Sequence, residues 1–152
     1  MENEVNSYLL IKEAFDLPDV KPNELAPLIL AHIGDAVYEV VIRTIELSKG
    51  NRAIVKVHSD SIKLVNAKTQ AELADKILPI LSPEEEAQYR RGRNAKAATH
   101  AKNASVSDYR KATGVEALIG YLYLLGRTDR IFQLLSFLPL EGKVVAKLPD
   151  EV

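Results

Sequence analysis

Apolar residues recur at the three-to-four spacing of a helix along nearly the whole chain, and alternating patterns bounded by tight turns are hard to find. The pattern predicts an all-α protein. Val5, Tyr8, Leu9, Ile11 and Phe15 form the stripe of a first helix over Asn3–Phe15, and Pro18 and Pro22 make Leu17–Asn23 a linker. The next helix opens near Pro27, a residue the first turn tolerates, and runs to about Leu47, where Ser48-Lys49-Gly50 stops it. It is long and mostly apolar, hence central. A third helical stretch, Val55 to Ile80, mixes Leu64, Val65, Leu73 and Ile77 with many polar groups; it is expected to break along the way and to end at Pro79. Ser82-Pro83-Glu84-Glu85 has the chemistry of a helix start. Ser82 can cap the amide of Glu85 while the Glu85 side chain reaches back, and Glu84, Glu85 and Glu86 suit the positive helix end, as caps rather than metal ligands. Ala97–Ser107 is small and polar and reads as a mobile loop. Tyr109–Leu125 is a strongly apolar helix closed by Gly126, and Asp129–Leu138 is a short last one. The chain thus divides into an N-terminal helix and linker (1–22), one main domain (23–138) and a C-terminal tail (139–152).

Composition narrows the class. A chain of 152 residues, 47% hydrophobic, suffices for a single core. The absence of cysteine excludes disulfides and thiolate metal sites and fits a reducing cytoplasm. The N-terminus opens acidic without a long apolar core, and no run of about eighteen apolar residues occurs, so a secreted or membrane-spanning protein is not expected. The net charge of -1 conceals an uneven layout. Between Gln88 and Lys111 lie Arg90, Arg91, Arg93, Lys96, Lys102, Arg110 and Lys111 against one acid, Asp108. A basic segment on an otherwise acidic body suits a polyanion bound at one place, although a solvated helix and loop would look the same.

Two acids occupy apolar helices where an acid is unexpected. Asp35 lies in Leu28-Ile29-Leu30-Ala31-His32-Ile33-Gly34-Asp35-Ala36-Val37-Tyr38, and Glu116 in Gly114-Val115-Glu116-Ala117-Leu118-Ile119-Gly120-Tyr121. A carboxylate in such surroundings must be paired, protonated or bound to a cation. Gly34 and Gly120, inside the same helices, point to a backbone or ligand in close approach. If the helices cross there, the two carboxylates can share Mg²⁺, which takes oxygen ligands and keeps several waters. Each acid suits equally well an ion pair with a buried arginine such as Arg43.

Ala31-His32-Ile33-Gly34-Asp35-Ala36-Val37 resembles a variant of the ribonuclease III signature, and Val115-Glu116-Ala117-Leu118-Ile119-Gly120 resembles the second signature of that family. Arg90-Arg91-Gly92-Arg93-Asn94-Ala95-Lys96, with Lys102-Asn103, and Asn66-Ala67-Lys68-Thr69-Gln70-Ala71 are similar to segments of its short branch, the mini-ribonucleases III. The likeness runs from about Leu25 to Leu125. It implies a helical, dimeric endonuclease domain over 23–138, with Asp35 and Glu116 as catalytic metal ligands for Mg²⁺. It also implies cleavage of both strands of double-stranded RNA to 5′-phosphate and 3′-hydroxyl ends, in the maturation of large-subunit (23S) ribosomal RNA, with ribosomal proteins as candidate helpers. Two departures stand out. Larger members carry glutamates four and seven positions before the signature Asp, here Ala31 and Leu28, and an Asp three before the second-signature Glu, here Thr113. Without a separate duplex-binding domain, the hold on RNA falls to Arg90, Arg91, Arg93, Lys96 and Lys102. The departures also motivate the rival reading, a non-catalytic RNA-binding or ribosome-assembly module on the same fold; a purely structural helical dimer is a third.

The remaining polar residues receive plainer readings. His32, one turn from Asp35, is expected to be packed or interfacial; His58 and His100 form no ligand spacing with it. Glu39 suits an outer-shell acid or a surface contact, Tyr121 and Tyr123 core or interface, and Asn66, Lys68 and Gln70 are candidate RNA contacts.

Overall fold

The computed structural model describes residues 6–96 and 105–140. Among them are seven α-helices and no strand: α1 (Ser7–Ala14), α2 (Pro27–Leu47), α3 (Ile54–Val65), α4 (Ala67–Ile77), α5 (Pro83–Asn94), α6 (Val106–Leu124) and α7 (Thr128–Leu135). Short 3₁₀ turns at Pro22–Glu24 and Leu78–Ile80 complete the path. No helix among the described residues is long and apolar enough to cross a membrane.

Local chemistry accounts for the boundaries. Asn6 Oδ1 accepts from the amides of Tyr8 and Leu9 and starts α1, so the part of the expected first helix before it lies outside the described residues. The expected break in the third stretch falls at Asn66. Its Nδ2 donates to the carbonyls of Ile62 and Lys63, closing α3, while its Oδ1 accepts from Thr69 N and opens α4. Ser82 and Glu85 form the full reciprocal cap. The last long helix begins earlier than Tyr109, because Ser105 Oγ accepts from Asp108 N and caps it at Val106. Residues 97–104 of the expected loop, and the tail beyond Leu140, lie outside the described residues.

Helix α6 is the hub, with α2, α4 and α5 packed around it. Leu30, Tyr38 and Ile42 from α2 meet Leu118, Ile119 and Leu122 from α6, and Ile131 and Leu134 of α7 close one end. The α2–α6 crossing is made by glycine. A Cβ on Gly34 would lie 1.7 Å from the carbonyl oxygen of Glu116, and one on Gly120 2.0 Å from the carbonyl oxygen of Leu30. The close backbone approach expected of these two residues is therefore what the fold uses them for. The expected linker is itself tied down. Asn23 Oδ1 accepts from Gln88 Nε2 at 2.7 Å, and Arg91 donates to the Leu25 carbonyl at 2.7 Å.

Gly34→Ala and Gly120→Ala each drive a methyl into an immovable carbonyl, so either should destabilise by about 3 kcal/mol or more. Urea denaturation measures this; an unshifted midpoint would show that the helices can separate at no cost.

Candidate active site

The glycine crossing decides where the two misplaced acids go. Asp35 follows Gly34 directly, and the backbone that Gly34 touches is that of Glu116. The two carboxyls therefore share one edge of the α2–α6 crossing, Asp35 exposed and Glu116 half-buried. Burial pushes the Glu116 carboxyl up to about 8, and the hydrogen bond and charge of Asp35 act in the same direction. Glu39, one turn further along α2, adds to the rise, whereas the Gln70 side chain on α4 opposes it. Tyr38 lies beneath them, fully buried, with its hydroxyl donating to the Leu64 carbonyl. Its own burial, then the charge of Glu116, holds it well above the usual tyrosine range.

Other buried acids in this fold have a basic partner. Glu46 and Asp60 both meet Arg52, at 3.2 and 2.8 Å, and Glu85 holds Arg130 by two bonds of 2.8 Å. Among the described residues no lysine or arginine forms an ion pair with Asp35 or Glu116. Arg43, the expected alternative partner, is corrected on this point: it is exposed and bonds Glu39 at 3.1 Å. Two adjacent carboxyls, one pushed toward its protonated form by burial and by its neighbour, suit a divalent cation, which would supply positive charge between them. The described residues hold no group of three His, Asp or Glu side chains around a common metal position. Thr113 is buried and donates to the Tyr109 carbonyl at 3.0 Å, and Ala31 is buried too, so neither position adds a ligand.

The basic helix packs on the same hub. A Cβ on Gly92 would lie 2.6 Å from Ala117 Cβ and 2.9 Å from Gly114 Cα, which seats the basic end of α5 beside the Glu116 stretch of α6. Arg90 is exposed and bonds Glu86 at 2.9 Å; Arg93 stands 5.9 Å over the Tyr89 ring; Lys96 is exposed. Arg91 differs from its neighbours. Its guanidinium is half-buried and bonded to Gln88 and to the Leu25 carbonyl, a brace that residue spacing does not reveal. Lys102 and His100 lie outside the described residues. His32 is exposed, Tyr121 is core, and Tyr123 meets the Tyr8 ring edge-on at 5.7 Å. One of the candidate RNA contacts is corrected. Gln70 is buried at 4% exposure, whereas Lys68 faces solvent and Asn66, also exposed, has its side chain engaged as a double cap.

The Ribonuclease III domain family model matches residues 28–127, a span that contains both acids, both crossing glycines and all of α5. The chain belongs to the ribonuclease III family. It is 46% identical over 125 residues to Mini-ribonuclease 3 of Clostridium tetani, covering 82% of each chain. It is 48% identical over 112 residues to Mini-ribonuclease 3 of a Thermoanaerobacter species, covering 74% of this chain and 79% of that one. A crystal structure of a Fusobacterium nucleatum protein superposes with a TM-score of 0.69 at 33% identity, over 74% of this chain and 89% of that chain. The short branch anticipated from the motifs is thus the right one, and with it a ribonuclease on an all-α domain.

The raised Glu116 carboxyl has a sign that can be checked. The folded metal-free protein holds this proton in a range where the unfolded chain has already released it. Relative to Glu116→Gln, the wild type should therefore lose stability as pH rises from about 4.5 to about 8, and change little below that window. Parallel thermal melts of the two proteins in EDTA measure it, and a constant difference across the window would refute the burial argument.

Proposed function

We propose that the chain is a Mg²⁺-dependent endoribonuclease that cuts both strands of double-stranded RNA in the cytoplasm, its natural substrate being precursor large-subunit ribosomal RNA. The observation that carries this reading is the pair Asp35 and Glu116, joined at a backbone crossing and without an ion-paired lysine or arginine among the described residues. The two carboxylates would hold the ion, with waters and a substrate phosphate completing its shell. Bound there, Mg²⁺ supplies the positive charge that offsets the phosphate and makes water an effective nucleophile near neutral pH. Asp35 and Glu116 would hold that charge beside the scissile phosphate. Water adds to phosphorus, the P–O3′ bond breaks, and the products carry a 5′-phosphate and a 3′-hydroxyl.

Arg90, Arg93 and Lys96, with Lys102 beyond the described residues, are assigned to duplex phosphates, and Arg91 braces the helix that carries them. An A-form duplex is read mostly by shape and backbone, which suits a row of cations better than a pocket. The acting species is proposed to be a homodimer. Supporting this, α2 carries an apolar stripe in which Ile29, Val40 and Leu47 are more than half exposed. An apolar cleft of about 480 Å³, lined by Ile11, Ile33, Val37, Val41 and Phe132 among others, adjoins it.

Long duplex RNA in Mg²⁺ or EDTA tests the catalytic assignment against the binding-module rival. The wild type should cut only with metal, and Asp35→Asn and Glu116→Gln should each lose at least about a hundredfold in rate while still binding. Binding without cutting by the wild type would leave the module. In the same series, replacing Arg90 and Lys96 by alanine should flatten the slope of log affinity against log salt by roughly two contacts, about 0.9 each. For the dimer, sedimentation of Val40→Glu should show a monomer at concentrations where the wild type is paired. A monomeric wild type would refute it.

A further inference from the structure

We propose that Gln70 is a positioning residue for Glu116: its buried amide, held by the first turn of α4, fixes the carboxylate so that it faces Asp35 across the α2–α6 crossing. The proposal rests on the metal-binding reading of those two acids. Its starting point is a side chain of the wrong kind for its place. The inner face of α4 is otherwise Ala71, Leu73, Ala74 and Ile77, each nearly inaccessible, and Gln70 sits among them at 4% exposure. An amide in such surroundings needs partners, because burying it unbonded is costly. The inner face of α4 packs on α6, and across that interface the Gln70 side chain acts on the Glu116 carboxyl as a donor would, opposing the rise in its pKa.

The turn that carries Gln70 is held from several sides. Its own amide donates to the Asn66 carbonyl at 3.1 Å, and the neighbouring Thr69 donates from N to Asn66 Oδ1 at 2.9 Å and from Oγ1 to the Lys63 carbonyl at 2.8 Å. The end of α3 just before it is bonded to α2 through Tyr38 and the Leu64 carbonyl. The element that carries Asp35 is thereby linked to the element that carries Gln70, and Glu116 lies between them. With the amide engaging the carboxylate from the buried side, the carboxylate is left oriented toward its neighbour. A neutral donor does this without adding a third negative charge to a pair that already repels. Partners of this kind orient metal-ligating carboxylates, and their removal typically weakens metal affinity by about 10- to 100-fold.

Gln70→Met keeps the length and removes the donor; Gln70→Leu serves as a second variant should the first not fold. Thermal shift of the full-length protein titrated with Mg²⁺ alone compares these with the wild type and with Asp35→Asn. The wild type should be stabilised by Mg²⁺ and Asp35→Asn should not. Gln70→Met should melt near the wild type in EDTA yet need roughly tenfold more Mg²⁺ for half its shift. Duplex cleavage by the same variant should show the same displacement of the Mg²⁺ midpoint, with the rate restored to within a few-fold at saturating metal. A wild-type midpoint in both Gln70 variants, beside a lost response in Asp35→Asn, would overturn the proposal and leave Gln70 as packing. No response in the wild type would remove the metal reading, and this role with it.

Discussion

The site exists because two helix backbones are allowed to touch. Side chains ordinarily hold packed helices 8–10 Å apart, too far for a carboxyl on one to be sure of meeting a carboxyl on the other. Gly34 and Gly120 remove the obstructing Cβ atoms reciprocally, each opening onto a carbonyl of the opposite helix. The residues next to that contact then have little choice of position. Asp35 and Glu116 emerge together because their own backbone neighbourhood forms the crossing. Helix α6 repeats the device on another side, where Gly92 of α5 opens onto Ala117, Gly114 and Thr113, and Gly114 opens onto Tyr89 of α5. The acids and the basic helix are thus indexed to one rigid element, and their relative placement does not depend on loop geometry.

Electrostatics separates this pair from the other buried acids. Glu46, Asp60 and Glu85 are more deeply buried than this pair, yet each has a guanidinium within hydrogen-bond reach, and together they serve the fold: Arg52 links α2 to α3, and Arg130 links α7 to the cap of α5. Those pairs are closed, with little capacity left for a ligand. At Glu116, burial and the neighbouring Asp35 instead favour the protonated carboxyl. Among the described residues the fold matches its other buried acids with arginine and leaves this pair, at an exposed edge, without one, which is the observation the proposed metal role rests on.

Much of the fold was legible in the sequence because its signals are local. Pro27 to Leu47, the Ser82–Glu85 cap and the break near the middle of the third stretch follow from residues that interact within one turn. Both crossing glycines were legible for a related reason, since a helix-interior glycine needs an explanation. What was not legible depends on partners far away in sequence. Arg91 looks like one more cation in a basic run, and only the folded chain shows its guanidinium on the Leu25 carbonyl 66 residues distant. Gln70, in a polar stretch, looks like a surface residue, yet the helical phase set by Asn66 turns it inward. Arg43 looked available to an inner acid because α2 is apolar overall, but it falls on the outer face with Glu39.

The sparse donor set carries its own logic. Where larger relatives place further acids, this chain has Ala31, Leu28 and Thr113, and the Thr113 hydroxyl is already committed to its own helix. Fewer acids mean less mutual repulsion in the metal-free state, and also fewer protein oxygens to define where an ion sits. A two-carboxylate site therefore depends more on how stiffly each carboxylate is held than a four-acid site does, because no redundant ligand corrects a misplaced one. Asp35 is placed by the glycine beside it. Glu116 has its backbone placed in the same way but carries a longer side chain with more torsional freedom, and the neutral amide beneath it supplies the missing constraint. On this view the small number of acids and the buried glutamine are two parts of one arrangement, in which rigidity substitutes for charge.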